Sequence, residues 1–271
     1  MKIAFSPRGI IKEELALVHE AYAESRGFPK LTWETPRSKK GPLAVVAGGP
    51  SIARHEIELK AWQGDIWAIN GAWAWCKERG IDATFFAIHP TDVLVEYLDG
   101  VEKAVLATCC HPKVFNFLEG KDVTLFQLGG PGFSTGGTAA TSAPTIGIRM
   151  GYEQVKLFGC DSSYGAGTHD YESHLNERHK HILVLKADGK EYVTEPPLYM
   201  QMEALSRLVL ELPNFISETG DGLLGAVVRA GGVFDVTRVN AAFYASIKPM
   251  LVVKPEANDA VVAPTNAQLE L

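Results

Sequence analysis

The stretch Leu43-Ala44-Val45-Val46-Ala47-Gly48-Gly49-Pro50-Ser51-Ile52 decides the fold class. Its continuous apolar run has the length and composition of a strand buried on both faces, the mark of a parallel sheet covered by helices. The run ends in two glycines, a proline and a serine, and Ile52-Ala53-Arg54 then opens a helix. Such a turn sets backbone amides at a helix start, where unpaired N–H groups and the helix dipole attract anions. Glycine lets a ligand approach the backbone closely, so a valine at position 49 is expected to remove binding while the chain stays folded. The same residues also fit a plain strand-to-helix turn with Ser51 as its N-cap.

Outward from this strand, further strands are expected at 66–70, 84–88, 103–107, 123–127 and 154–159, separated by helical stretches such as 72–79 and 138–150. Alternation of this kind implies a parallel sheet. Residues 182–186 and 191–194, joined by Ala187-Asp188-Gly189-Lys190, read as a hairpin. A helix over 197–212 and a strand near 214–218 complete the sheet. Upstream, Ile11, Leu15, Val18 and Tyr22 recur at helical spacing. The expected architecture is α/β: a Rossmann-like, doubly wound, mostly parallel sheet with a small inserted hairpin or lid. Residues 1–42 form an N-terminal accessory element, 43–249 the nucleotide-binding domain with a lid at 162–195, and 250–271 a C-terminal tail.

The bulk properties exclude several classes. The 271 residues are 46% hydrophobic and 21% charged, as in an ordinary globular protein. A net charge of −6, with no basic cluster beyond Arg37-Ser38-Lys39-Lys40, argues against a nucleic-acid partner. No apolar run is long enough for a membrane span. Four cysteines without Cys-x-x-Cys spacing, and no leader-like opening segment, lead to the expectation of a reducing, cytoplasmic setting. A homo-oligomer is compatible with this composition.

Two familiar phosphate signatures fail. A dinucleotide fold needs a third glycine in the turn and an acidic residue ending the second strand, where this chain has Asn70-Gly71. The Walker pattern needs Gly-Lys-Ser or Gly-Lys-Thr, which is absent. Asn70 can still donate and accept hydrogen bonds to a ribose or base.

A second glycine loop, Gly129 to Gly137, precedes the helix over 138–150. Ligands of open parallel sheets sit beyond the carboxyl ends of the strands. Thr135, Gly136, Gly137 and Thr138 are therefore expected to face the same crevice as Gly48, Gly49, Pro50 and Ser51. A mobile surface loop is the alternative. Asp161, ending the sixth strand, is expected to point into that crevice and orient an acceptor; a structural cap is the alternative. His169, preceded by the glycines of Tyr164-Gly165-Ala166-Gly167-Thr168, is the candidate proton acceptor. Asp92 is a candidate magnesium ligand, and equally a helix N-terminal carboxylate. His174, His179 and His181 are spaced poorly for a shared metal.

Two blocks together carry a family resemblance. The first is Ala44 to Ile52; the second runs from Ser134-Thr135-Gly136-Gly137-Thr138-Ala139-Ala140-Thr141 through Gly151-Tyr152 to Phe158-Gly159-Cys160-Asp161. They resemble the MptE-like 6-hydroxymethylpterin diphosphokinase family and, more distantly, are similar to the bacterial sialyltransferases of glycosyltransferase family 42. The acidic motif these diphosphokinases carry after strand three is replaced here by Ile88-His89-Pro90-Thr91-Asp92, leaving Asp92 as the one carboxylate to stand in for it. The resemblance implies a Rossmann-like transferase using a nucleoside phosphate or nucleotide-sugar donor, with Mg2+ in the diphosphokinase case and a small-molecule acceptor. A non-catalytic binding or assembly protein on a transferase-like fold is the alternative.

Overall fold

The structure is a computed structural model that describes residues 13–129, 137–165 and 182–239. Its centre is an eight-stranded, wholly parallel sheet. In chain order the strands are β1 (Lys30–Leu31), β2 (Pro42–Val46), β3 (Asp65–Ile69), β4 (Thr84–Ala87), β5 (Lys103–Ala107), β6 (Asp122–Phe126), β7 (Gln154–Phe158) and, after the hairpin strands, β10 (Ile216–Glu218). Their order across the sheet is β1-β6-β5-β4-β3-β2-β7-β10. The chain winds outward from β2 to β6, then crosses back to place β7 on the other side of β2. That reversal makes a switch point between β2 and β7, where a parallel sheet opens a crevice at its carboxyl edge.

Burial explains why these strands are readable. Leu43, Ala44, Val45 and Val46 of β2 are all fully buried, because helices cover both faces of a central strand. Helix α5 (Ala139–Met150) packs across β2, β3, β4 and β7. A β-carbon at Gly147 would fall 2.6 Å from the Leu43 side chain, so glycine permits this close approach. A reciprocal Thr138–Thr141 capping box opens α5, and Gly151 closes it at φ 113°.

The hairpin forms as expected, from β8 (Leu183–Ala187) and β9 (Lys190–Thr194). Its two turn residues, Asp188 and Gly189, have φ of 49° and 75°, the left-handed pair that matches the twist of two-residue hairpins. A third strand, β11 (Asp235–Val239), pairs antiparallel with β8 and turns the hairpin into a small sheet. This sheet packs with α6 (Pro196–Glu211) and α7 (Gly222–Arg229) around its own core of Leu183, Leu185, Tyr199, Met202, Leu223 and Val227.

Three sequence expectations need correction or addition. The first helix exists as α1 (Glu13–Ser25), but Leu15 and Val18 of the expected apolar stripe are 48% and 60% exposed, and the helix docks through Tyr22 of that stripe together with His19 and Ala23. Residues 30–31 supply an edge strand to the main sheet beside β6. The turn after β2 leads into a four-residue 3₁₀ helix (Ile52–His55) and only then into α2 (Glu56–Lys60), itself five residues long. The segment around His169 to His181 and the tail from 250 lie outside the described residues, and no helix among the described residues is long and apolar enough to cross a membrane.

Candidate functional site at the switch point

The glycine turn after β2 is built against the loop after β7. Gly49 N donates to Gly159 O at 2.8 Å, Ser51 N to Asp161 Oδ2 at 2.9 Å, and Ile52 N to Gly49 O at 3.0 Å. Proline at 50 has no N–H. These amides, expected to meet an anion, are therefore already engaged, and the 3₁₀ segment behind them is too short to carry a useful helix dipole. Nor does Ser51 cap through its side chain; its hydroxyl is buried without a well-formed partner, close enough to Asp161 to help hold that charge.

Glycine at 49 serves the protein's own packing. A β-carbon there would lie 2.3 Å from both Gly159 O and Asp161 Oδ2. Valine at 49 thus strikes the fold itself, contrary to the expectation that only binding would suffer. The Asp161 carboxylate, expected to open onto the crevice, turns to Ser51 instead and is 5% exposed. Burial pushes its carboxyl above the usual aspartate range, while the Ser51 amide pulls it back. Alongside, Asp221 pairs with His55 at 2.6 Å and Arg54 at 2.9 Å, tying the short helix after the turn to the start of α7.

In front of this scaffold lies a cleft of about 300 Å³. That is the lower end of the range for small-molecule sites, about 300–1,000 Å³. Gly48, Gly49, Asn70, His89, Thr138 and Gln201 contribute to its walls, with Ser162 and Ser163 at the β7 end and Leu94, Tyr97 and Leu198 on the apolar side. No Lys, Arg, Asp or Glu among the described residues lines it. The first turn of α5, at Ala139 and Ala140, also borders the cleft and presents the positive end of a 12-residue helix.

Asn70 follows β3 in the left-handed region at φ 49°, a conformation that asparagine tolerates better than most residues. Its backbone is anchored by Asn70 N to Phe86 O and Trp73 N to Asn70 O, both 3.1 Å. Its side-chain Oδ1 is shielded from solvent and has no hydrogen-bond partner among the described residues. His89 follows β4. The Thr91 N–H points at its Nδ1 at 3.4 Å, and Thr91 Oγ1 lies 2.8 Å away. That arrangement leaves the ring proton on Nε2, and burial lowers the imidazole's pKa, so the ring is a neutral donor beside the cleft.

Of the expected site residues, Gly48, Gly49, Asn70 and Thr138 share this cleft, while Pro50, Ser51 and Asp161 lie behind its wall. Gly137 is exposed and outside the lining, and Thr135, Gly136 and His169 fall outside the described residues. Asp92 is 51% exposed, pairs with Lys113 at 2.7 Å and does not reach the cleft. No group of three or more His, Cys, Asp or Glu side chains that could hold a metal occurs among the described residues. Sequence reasoning missed His89, Ser162, Ser163 and Gln201. The first three could have been found, because each lies within five residues of the end of a strand, in a loop at the carboxyl edge.

No protein-family model matches this chain, and no curated protein matches it. Nothing in these comparisons adds to the diphosphokinase resemblance. Among solved structures, the chain is similar to the MAf glycosyltransferase from Magnetospirillum magneticum AMB-1, with a TM-score of 0.59 and 18% identity over 82% of this chain. The chain spans 38% of that protein's length. At this identity the likeness is one of fold alone, here an eight-stranded Rossmann-like parallel sheet.

Proposed function

We propose that the chain is a nucleotide-dependent group transferase of the glycosyltransferase-like kind, with its donor in the switch-point cleft. The observation that carries this reading is the convergence of Gly48, Asn70, His89 and the start of α5 on one cleft at the carboxyl edge of the sheet. In this reading the donor's phosphate lies at the first turn of α5, not at the Gly48 turn, and Gly48 and Gly49 let the donor lie against the backbone. The unpartnered Oδ1 of Asn70 accepts from a ribose hydroxyl or a base amine. His89, as a neutral ring, hydrogen-bonds through its Nε2–H to the charge that develops on the leaving phosphate. His169 stays the sequence-based candidate for taking the acceptor's proton.

A thermal-shift panel of CMP, CMP-sugars, UDP, UDP-sugars, ATP and GTP, each with and without magnesium, tests this reading. A nucleotide at about 100 times its Kd adds roughly 2.7 kcal/mol of stability. A response to at least one nucleotide, reduced by about half in Asn70→Ala, is expected; silence across the panel rejects the reading. The engaged amides of Gly49, Ser51 and Ile52 and the uncharged lining favour one competitor, a non-catalytic binding protein on the same fold. It predicts that His89→Gln leaves the biological phenotype intact.

A further inference from the structure

The two walls of the cleft come from distant parts of the chain, and one side chain from a third element spans them. Gln201, on α6, donates from Nε2 to Ser162 Oγ at 3.1 Å, and its Oε1 faces Thr138 Oγ1 at 3.5 Å. The amide orientation follows from the network. Thr138 Oγ1 already accepts the Thr141 N–H at 3.2 Å, so its own hydroxyl proton is available for Gln201 Oε1. On the other wall, Ser162 sits in the left-handed region at φ 54°, which costs a serine energy unless its surroundings hold it there. Its carbonyl accepts from Thr194 Oγ1 at 2.8 Å, and its hydroxyl lies 3.3 Å from Cys160 O.

From this geometry we infer that Gln201 is a positioning residue that fixes the width of the cleft, coupling the capped start of α5 to the left-handed Ser162. It acts through its neighbours: Thr138 sets where the first-turn amides of α5 point, and Ser162 sets the opposite rim. The 3.5 Å arm to Thr138 is long for a hydrogen bond, so the 3.1 Å arm to Ser162 is the stronger of the two. The inference deepens the donor-cleft reading, since the clamp orients the turn of α5 on which that reading places the phosphate. The coupling itself does not depend on what the cleft binds.

The test is amide hydrogen exchange followed residue by residue in the intact chain. The informative probes are Thr141 and Ser142, bonded to Thr138, and Tyr164, whose N–H is bonded to Val193 O. Gln201→Met keeps the volume and removes both polar arms. It is expected to speed exchange at all three probes at least fivefold, with the strands β2 to β5 unchanged. Gln201→Glu keeps an acceptor for both hydroxyls and is expected to restore protection. With CMP or UDP as the probe nucleotide, the same glutamate is expected to weaken binding tenfold or more, because it sets a negative charge beside the start of α5. Should Gln201→Met not fold, Ser162→Ala removes one arm alone and is expected to speed exchange at Thr141 across the cleft. Unchanged exchange on either wall, or acceleration throughout the sheet, overturns the clamp. If no nucleotide of the thermal-shift panel binds the wild-type chain while the exchange pattern holds, the donor reading falls and the clamp stands.

Discussion

The Asp161 carboxylate accepts the backbone N–H of Ser51 at 2.9 Å, joining the loop after β7 to the turn after β2 across 110 residues of sequence. Asp161→Ala leaves that buried N–H without a partner and is expected to cost about 1–3 kcal/mol in urea unfolding. Asp161→Asn keeps an acceptor and removes a buried charge, so it should lie within about 1 kcal/mol of the parent. The two variants should also differ from the parent in pH dependence. Burial raises the Asp161 carboxyl above its ordinary 3.8, so the folded chain holds that proton more tightly than the unfolded chain. Its contribution favours folding at acid pH and is lost as pH rises from 3.8 through the raised folded value. Unfolding measured at several pH values across this window should show that slope in the parent and not in Asp161→Asn.

Gly49→Ala tests whether the glycine turn exists for the fold. Its β-carbon would meet Gly159 O and Asp161 Oδ2 at 2.3 Å, and two backbone segments would have to part to admit it. A loss of about 3 kcal/mol in denaturant stability is expected. A variant that keeps its stability and loses only nucleotide response would return the turn to the ligand.

Asn70 separates stability from binding. Asn70→Gly keeps the left-handed φ of 49° and removes an unpartnered acceptor, so stability should hold or rise. Asn70→Ala should be less stable than the glycine variant by about 1 kcal/mol, the cost of a β-carbon in that conformation. Both should weaken the nucleotide that answers in the thermal-shift panel by about tenfold. Equal affinity in all three chains would remove Asn70 from the site.

Much of the fold was legible because the sheet is parallel. Both-face burial writes strands such as Leu43 to Val46 as unbroken apolar runs, and the expected strand at 103–107 matches β5 residue for residue. What escaped is held by partners rather than by pattern. β1 has two residues, and β11 reads Asp-Val-Thr-Arg-Val, a weak alternation held by pairing with β8. α1 shows the converse: Leu15 and Val18 of its regular stripe face outward, and docking falls to Tyr22 together with His19 and Ala23. The same division runs through the site. Asn70 was found because a strand ends there, whereas Gln201 reaches the cleft from α6, with no motif to mark it.

His89 offers the last test, through acid stability and chemistry together. Burial lowers its pKa from 6.5, so the unfolded chain protonates first as pH falls. Stability is therefore lost between pH 6.5 and the lower folded value, and His89→Gln should show a shallower loss over that window. His111, whose imidazole burial also lowers, is unchanged in this comparison and sets the remaining slope. If the neutral ring's Nε2–H supports the charge on the leaving phosphate, His89→Gln should also lose about 10²–10³-fold in rate with the active nucleotide donor, at little cost in donor affinity. A variant with the parent's acid slope and the parent's rate would show that the ring is neither buried neutral nor engaged in the chemistry. A changed slope with an unchanged rate would keep His89 as part of the wall and remove it from the chemistry.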